Sequence, residues 1–214
     1  MATKRKTEQK SVDIVRQKLT RMTVRIKGVS PLIHNRFSSR SKQQMADKQG
    51  GKAKKGKEAR DPNQEYLDSL IVHKPGKTKA STVYGVRAVW FKLGMLDVAK
   101  EDKMGSKVRR NVRIGHTFDP EETLPIKCGK GDPHIRIGDD GLQGDRTRLA
   151  SGVTSISYRG EFSKWEVDVP IEFNSTRVSE EQVLAWLEEA GRACGAGDWR
   201  PQRNGQCGMY EIAK

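Results

Sequence analysis

The chain has 214 residues, of which only 34% are hydrophobic, so we expect one domain with a segment that cannot join its core. The net charge of the chain is +14, and it is unevenly distributed. Residues 160–214 carry six Lys or Arg against ten Asp or Glu, so the excess of positive charge lies in residues 1–159. This asymmetry favours a polyanionic partner, above all nucleic acid. The sequence shows no long apolar run, no basic amphipathic helix and no secretory-signal pattern, and this disfavours a membrane role.

The first forty residues predict a basic arm, a strand and a polar loop. Residues 1–20 are either a solvated tail or an arm that docks on a neighbouring subunit or on phosphates. The main domain begins at residue 21, where Met22, Val24 and Ile26 alternate with polar residues and so predict a strand. In the loop that follows, Phe37 is either a core residue or a platform on which an unpaired base stacks.

Residues 38–62 form a low-complexity segment that is rich in lysine and glycine. A segment of this composition cannot bury enough apolar surface to order itself, so we predict a mobile insertion that its ligand orders. A solubilising loop is the plainer interpretation, but the density of lysines favours contacts with phosphate groups.

The middle of the chain predicts one major helix and several short strands. Apolar residues recur at helical spacing from Ser81 through Ala99. Residues 107–113 are expected to form a strand that exposes a row of cations, and residues 117–150 are rich in turns. Residues 153–173 predict a hairpin of two strands.

The last fifty residues carry the clearest pattern. Alternation from Trp165 to Phe173 predicts a half-buried strand with one acidic face. Ser179 and Gln182 have the spacing of a capping box, so a helix should begin there and end at a glycine near residue 195 or 197. Residues 195–208 then form a glycine-rich loop. Its backbone N–H groups could approach a phosphate or another backbone closely, or it could simply be a helix cap and a wide turn.

The order of elements is compatible with an α+β fold, namely a ferredoxin-like (RRM-type) antiparallel sheet with two main helices, a large basic insertion and a β-hairpin. The final loop, Gly195-Ala-Gly197-Asp198-Trp199-Arg200-Pro201 with Gly205-Gln-Cys-Gly208, resembles the carboxy-terminal glycine-rich loop of the repeat-associated mysterious protein (RAMP) superfamily. The segment Gly28-Val-Ser-Pro-Leu-Ile33 resembles phage-encoded relatives. The superfamily includes subunits that polymerise along the guide RNA of CRISPR complexes, and the chain is short for such a subunit.

We therefore predict a non-enzymatic protein that binds single-stranded nucleic acid through its backbone, with ssDNA slightly favoured over RNA. The resemblance places it in the cytoplasm of a bacterial or phage-infected cell, in phage replication or recombination. Copies would assemble head-to-tail as the acidic C-terminal third meets a neighbour's basic segment. The side chains expected to contact the strand are basic or aromatic: Arg36, Phe37, Arg40, Lys42, Lys52, Lys54, Lys55, Lys57, Lys74, Lys77, Lys79, Arg109, Arg110, Arg113, Arg148, Arg159, Trp199 and Arg200. For Trp199, packing beneath the glycine-rich loop is the alternative.

Two further functions stay open: a guide-RNA-binding subunit of a CRISPR-type complex, and a RAMP-type RNA endonuclease that uses a histidine as general base. None of the four histidines, His34, His73, His116 and His134, is spaced so as to pair with a second catalytic residue, and HExxH, GxSxG and P-loop motifs are absent. No cofactor or metal is expected. The cysteines Cys128, Cys194 and Cys207 form no Cys-x-x-Cys pair, which fits a reducing cytoplasm, and an Asp-Gly turn explains Asp139 and Asp140 better than a metal site does.

Overall fold

The computed structural model describes residues 16–37, 39–51, 60–138, 141–148 and 154–213, without the side chains of residues 39–41, 147 and 148. The helices are α1 Ser39–Gln49, α2 Pro62–Ser69, α3 Ala88–Glu101, α4 Gly105–Asn111 and α5 Glu180–Ala193. The strands are β1 Leu19–Gly28, β2 Leu32–His34, β3 Val72–Lys74, β4 Val83–Arg87, β5 Val112–Ile114, β6 Thr123–Cys128, β7 His134–Ile135, β8 Asp145–Arg148, β9 Thr154–Ser157, β10 Gly160–Phe162, β11 Trp165–Asn174 and β12 Tyr210–Ile212.

Several predictions fall outside the described residues. They concern the basic arm up to residue 15, Lys52, Lys54, Lys55 and Lys57 of the insertion, the turn at Asp139 and Asp140, and the side chains of Arg40 and Arg148.

The main sheet has seven strands, and all of its pairings are antiparallel, so the predicted α+β class is confirmed. The strand order is β12-β1-β11-β6-β4-β3, and β5 pairs with β11 beyond the end of β6. Strands β1 and β11 form its centre, paired from Leu19 opposite Asn174 to Lys27 opposite Glu166. Two smaller sheets, β2-β10-β7 and β8-β9, complete the described architecture.

The core lies between the main sheet and helices α3 and α5. The predicted alternation of β11 is confirmed, because Trp165, Val167, Val169, Ile171 and Phe173 are all buried. Burying a large apolar side chain contributes roughly 1.5–3 kcal/mol, so this row alone accounts for much of the sheet's attachment to the helices.

Helix α5 begins as its sequence predicts. Ser179 Oγ accepts from the N–H of Gln182 at 3.3 Å, and the Gln182 side chain accepts from the N–H of Ser179 at 3.2 Å. Val178 and Val183, which flank this cap, are both buried. The capping box and the apolar staple together fix where the helix starts.

The opposite face of the sheet is open to solvent and carries paired charges. Arg21 Nε lies 2.6 Å from Glu172, Arg25 Nε lies 2.7 Å from Asp168, and Lys127 Nζ lies 3.4 Å from the same aspartate. On the acidic face of β11, Asp168 and Glu172 are therefore paired with cations on neighbouring strands of the same chain. Exposed pairs of this kind contribute little to stability, but they leave no uninterrupted basic surface across the sheet.

The predicted helix from Ser81 begins later, because Val83–Arg87 is strand β4. Its apolar residues also fit a strand, and Gly85 lets β4 approach β6 closely, since a Cβ there would lie 2.9 Å from the carbonyl oxygen of Leu124. The helical spacing from Val83 to Val86 was therefore coincidental. The predicted strand over 107–113 is also wrong, because Gly105–Asn111 is helix α4 and the chain becomes extended only at Val112.

The insertion and the predicted hairpin also differ from expectation. Residues 39–49 form helix α1 instead of an irregular segment. Strand β9 does not pair with β11; it pairs with β8, while β10 lies between β2 and β7. Arg159, which follows β9, is buried and pairs with Asp145 at the start of β8, a contact that favours pairing of β9 with β8.

Candidate nucleic-acid interface

The glycine-rich loop folds back onto the connection between β1 and β2. Gly195 ends α5 with a φ of 67°, and its N–H donates to the carbonyl of Ala190 at 2.9 Å. Farther on, the N–H of Asp198 donates to Ile33 at 3.0 Å, and that of Gly208 donates to Pro31 at 2.7 Å. These N–H groups are thus used within the fold and do not form a phosphate cradle. The prediction of close approach to another backbone is confirmed.

Two glycines of this loop allow that approach. Gly197 and Gly208 have φ values of 76° and 69°. A Cβ on Gly197 would collide with the carbonyl oxygen of Ile33, and one on Gly208 would collide with the carbonyl oxygen of Ala196. Only glycine tolerates both the conformation and the contact.

Trp199 occupies the outer turn of the loop. Its φ of 53° is unusual for a bulky residue, and its carbonyl oxygen is held by the N–H of Cys207 at 2.9 Å. The residue is 45% exposed, so it is packed only in part. The guanidinium carbon of Arg136 lies 5.4 Å from the ring centroid, a distance typical of a cation–π contact. The indole is therefore both exposed and fixed in place.

A network of ion pairs supports Trp199 from below. Arg159 is only 3% exposed and pairs with Asp145 and with Asp198, the residue before the tryptophan. Arg136 pairs with Asp145 at 2.8 Å and with Glu161 at 2.6 Å. The prediction that Arg159 contacts phosphates is wrong, because its charge is buried and already compensated.

The carboxylate of Asp198 stays ionised in this network. Its partial burial opposes ionisation, but the charge of Arg159 and a hydrogen bond from Asn35 Nδ2 at 2.9 Å outweigh that cost, so the pKa of Asp198 lies below its ordinary value. Burial of Arg136 likewise opposes its charged form, while its bond to Glu161 raises the pKa of the guanidinium. Both ion pairs therefore persist at neutral pH, and the pair between Arg159 and Asp198 connects the glycine-rich loop to the segment between β9 and β10.

The bond from Asn35 brings the end of β2 to this loop. Phe37, two residues farther on, is 51% exposed, so its interpretation as a core residue is wrong. The Nε atom of Arg36 is buried and has no hydrogen-bond partner among the described residues. The structure thus brings Arg36 and Phe37 to the side of the fold that presents Trp199.

The basic insertion leaves the core directly after Phe37 and returns at Arg60. That arginine donates to the carbonyl of Ile156 at 2.6 Å, and its guanidinium lies 6.0 Å from the ring centroid of Tyr158. The end of the insertion, at Arg60, therefore contacts the β8-β9 hairpin, which carries Arg148. Lys42, on α1, is exposed.

The other predicted cations lie on separate parts of the fold. Lys74 is the last residue of β3, and Lys77 and Lys79 lie on the exposed connection from β3 to β4, where Lys79 Nζ donates to the carbonyl of Gly131 at 3.2 Å. The loop around Gly131 leads into β7 and on to Arg136, so these lysines flank the region that carries Trp199. Arg200 is engaged within its own loop, since it donates to the carbonyl of Gly197 at 2.8 Å.

Arg109, Arg110 and Arg113 lie at the opposite end of the main sheet. Arg109 and Arg110 lie on α4, and Arg113 lies on β5, which directly follows that helix. Strand β5 pairs with the last residues of β11, whereas the glycine-rich loop adjoins the first residue of β11, Trp165, whose Nε1 donates to the carbonyl of Ser30 at 2.9 Å. The ten residues of β11 span about 30 Å. Arg109, Arg110 and Arg113 are therefore separate from the predicted cations near the glycine-rich loop, and the cations that the structure describes do not form one continuous row.

The histidines give no support to a general base at this site. His34 is fully buried, its Nδ1 accepts from the N–H of Ile71 at 3.2 Å, and burial lowers its pKa to about 3. His116 is exposed and remote from Trp199, and His134 lies 3.2 Å from Asp132. Among the residues that the structure describes, no cluster of His, Cys, Asp or Glu could hold a metal ion.

Sequence reasoning missed the residues that fix Trp199, namely Asn35, Arg136, Asp145, Glu161 and Asp198. Each is an ordinary polar residue in a turn-rich segment, and only the fold brings them together. The one local sequence pattern that could have indicated this site is Asp198, which directly precedes a tryptophan in a glycine-rich segment.

Within the described ranges, no helix is long and apolar enough to cross a membrane. No family model matches the chain, and a search of curated proteins finds no significant match.

Proposed function

We propose that this protein binds single-stranded nucleic acid, mainly through the sugar–phosphate backbone, without catalysing a reaction on it. The observation that carries the proposal is Trp199, an exposed aromatic residue on the side of the fold from which the basic insertion leaves. Its ring contacts Arg136, and the residue before it, Asp198, is paired with the buried Arg159. Rigid aromatic rings beside basic segments are the usual way to hold unpaired nucleotides of any sequence.

The fold around this site supports the same proposal. The order β12-β1-β11-β5 has α3 between β1 and β5 along the chain, and α5 between β11 and β12. This is the connectivity expected of a ferredoxin-like (RRM-type) core, which β3, β4, β6 and the two smaller sheets would elaborate. A relationship to the RAMP superfamily, and a role in phage replication or recombination with ssDNA slightly favoured, belong to this proposal.

Head-to-tail assembly along the strand is also proposed. Asp168 and Glu172 of β11 are paired with cations of the same chain, so the proposal assigns the contact with a neighbour to the acids of α5. Glu180, Glu181 and Glu189 are exposed on that helix. A neighbour's basic insertion or N-terminal arm would supply the opposite charge.

Fluorescence anisotropy with labelled ssDNA, ssRNA and duplex of equal length tests the proposal. We expect both single strands to bind more tightly than duplex. Trp199→Ala should weaken binding by roughly 1–3 kcal/mol, whereas Trp199→Phe should retain most of it, since both aromatic rings stack. Leu93→Ala is a matched control, because this residue is similarly exposed but lies on α3. Equal effects of Trp199→Ala and Leu93→Ala would contradict the assignment of the site.

A further inference from the structure

A cleft of about 290 Å³ opens on the charged face of the main sheet. Its walls come from the middle of β1 and β11 and from the 115–118 loop that follows β5: Arg21, Thr23, His116, Phe118, Pro170 and Glu172. Arg21 lies about 23 Å from Gly28 along β1, so the cleft is well separated from the end of the sheet that adjoins the glycine-rich loop.

Phe118 is the most unusual residue of this cleft. It has a φ of 59°, which is strained for an aromatic side chain, and yet 40% of it is exposed. Nothing about its packing into a core explains the conformation. Strained residues of this kind persist where the surroundings fix them and cluster at functional sites.

The carboxylate of Glu122 fixes the loop that carries Phe118. It accepts hydrogen bonds from the backbone N–H groups of His116 at 2.6 Å, Thr117 at 3.0 Å and Phe118 at 2.9 Å. It also accepts from Thr117 Oγ1 at 2.8 Å. Four donors converge on one side chain, so the backbone from which the Phe118 ring extends is held in place.

Two charged side chains line the cleft together with Phe118, namely Arg21 and Glu172. They lie opposite each other on the neighbouring strands β1 and β11. Glu172 Oε2 accepts from Arg21 Nε at 2.6 Å, and Glu172 Oε1 has no hydrogen-bond partner within the described part of the chain. The side chain of Arg21 is 78% exposed, which leaves its remaining N–H groups open to a phosphate.

We propose that this cleft binds an unpaired nucleobase, which stacks on Phe118 and donates a hydrogen bond from its exocyclic amino group to Glu172. The inference rests on the proposed function and adds a second contact point to it. A carboxylate accepts from the amino group of cytosine, whereas thymine and uracil present a carbonyl oxygen at the same position and are repelled. The cleft therefore favours cytosine over thymine at one nucleotide of the bound strand.

The test compares homopolymers of deoxycytidine and deoxythymidine of equal length. We expect wild-type protein to bind the cytidine strand several-fold more tightly, and Glu172→Gln to reduce this ratio. Phe118→Gly should weaken binding of both strands by about tenfold, the loss typical of one stacked base. The same substitution should leave the melting temperature unchanged or raise it, because glycine adopts a positive φ without strain.

Photo-cross-linking gives an independent readout of the same contact. A strand with a single halogenated base should cross-link to the peptide that contains Phe118 in wild-type protein, and much less in Phe118→Gly. If Phe118→Gly bound both strands as wild type does while Trp199→Ala bound them weakly, the cleft proposal would be overturned and the proposed function would stand. If wild-type protein bound neither strand, the proposed function itself would fail. Equal wild-type affinity for the two strands would overturn the role of Glu172.

Discussion

Acidification should destabilise the fold through His34, the buried histidine at the end of β2. Burial lowers its pKa to about 3, far below the ordinary value of 6.5. The neutral ring is held in the core, where Nδ1 accepts from the N–H of Ile71 and the ring lies 4.6 Å from that of Phe162. The unfolded chain takes up a proton near pH 6.5, whereas the folded chain does not.

The sign and size of the effect follow from this difference. Stability is full above pH 6.5, because both states are then neutral at this residue, and it falls as the pH drops from 6.5 towards 3. Over that window the loss is about 1.4 kcal/mol per pH unit, which amounts to about 2 kcal/mol at pH 5. This is a large share of the stability of an ordinary domain.

Urea denaturation at pH 7.5 and pH 5.0 measures this loss. In His34→Asn, the side-chain oxygen can replace Nδ1 as the acceptor for Ile71 but does not titrate, so the variant should lose much less stability between the two pH values. His116→Asn is the matched control, because His116 is exposed. If wild type and His34→Asn showed the same dependence on pH, or if the ring titrated near 6.5 by NMR, the burial argument would be refuted.

Three other substitutions test the contacts described above, each by denaturant unfolding. Arg159→Leu should lower the free energy of unfolding by about 3–5 kcal/mol, because it leaves Asp145 and Asp198 without their buried partner; a loss below ~1 kcal/mol would show that the network is dispensable. Ser179→Ala should cost about 1 kcal/mol through the lost cap of α5, and an unchanged midpoint would contradict that role. Gly208→Ala should cost about 1–3 kcal/mol, since its φ is positive and Ala196 leaves no room, whereas Gly131→Ala, also at positive φ but with open space around it, should cost less.

The parts of the fold that the sequence predicts are those coded by neighbouring residues. The alternation of β11 and the capping box of α5 depend on spacings of two and three residues, and both are present as predicted. The prediction for the segment from Val83 to Arg87 is wrong because its apolar spacing suits either a helix or a strand, and only its pairing with β6 decides between them.

The candidate site was predictable only in its outline. Phe37 and Trp199 stood out as aromatic residues among donors, and both are exposed. Arg159 could not be distinguished from a surface cation, since its partners Asp145 and Asp198 lie far from one another in the chain. The sequence around Phe118 does not predict its exposed position at a cleft, because its positive φ depends on the hydrogen bonds that Glu122 accepts.

The proposed function requires that the excess cations of the protein bind the sugar–phosphate backbone of an unpaired strand. The most direct measurement is the affinity for ssDNA, ssRNA and duplex of equal length as a function of salt concentration. We predict tighter binding to both single strands, with the logarithm of the binding constant falling by about 0.7 per neutralised phosphate for each unit of log salt concentration. Equal or tighter binding to duplex, or an affinity that does not change with salt, would contradict the claim.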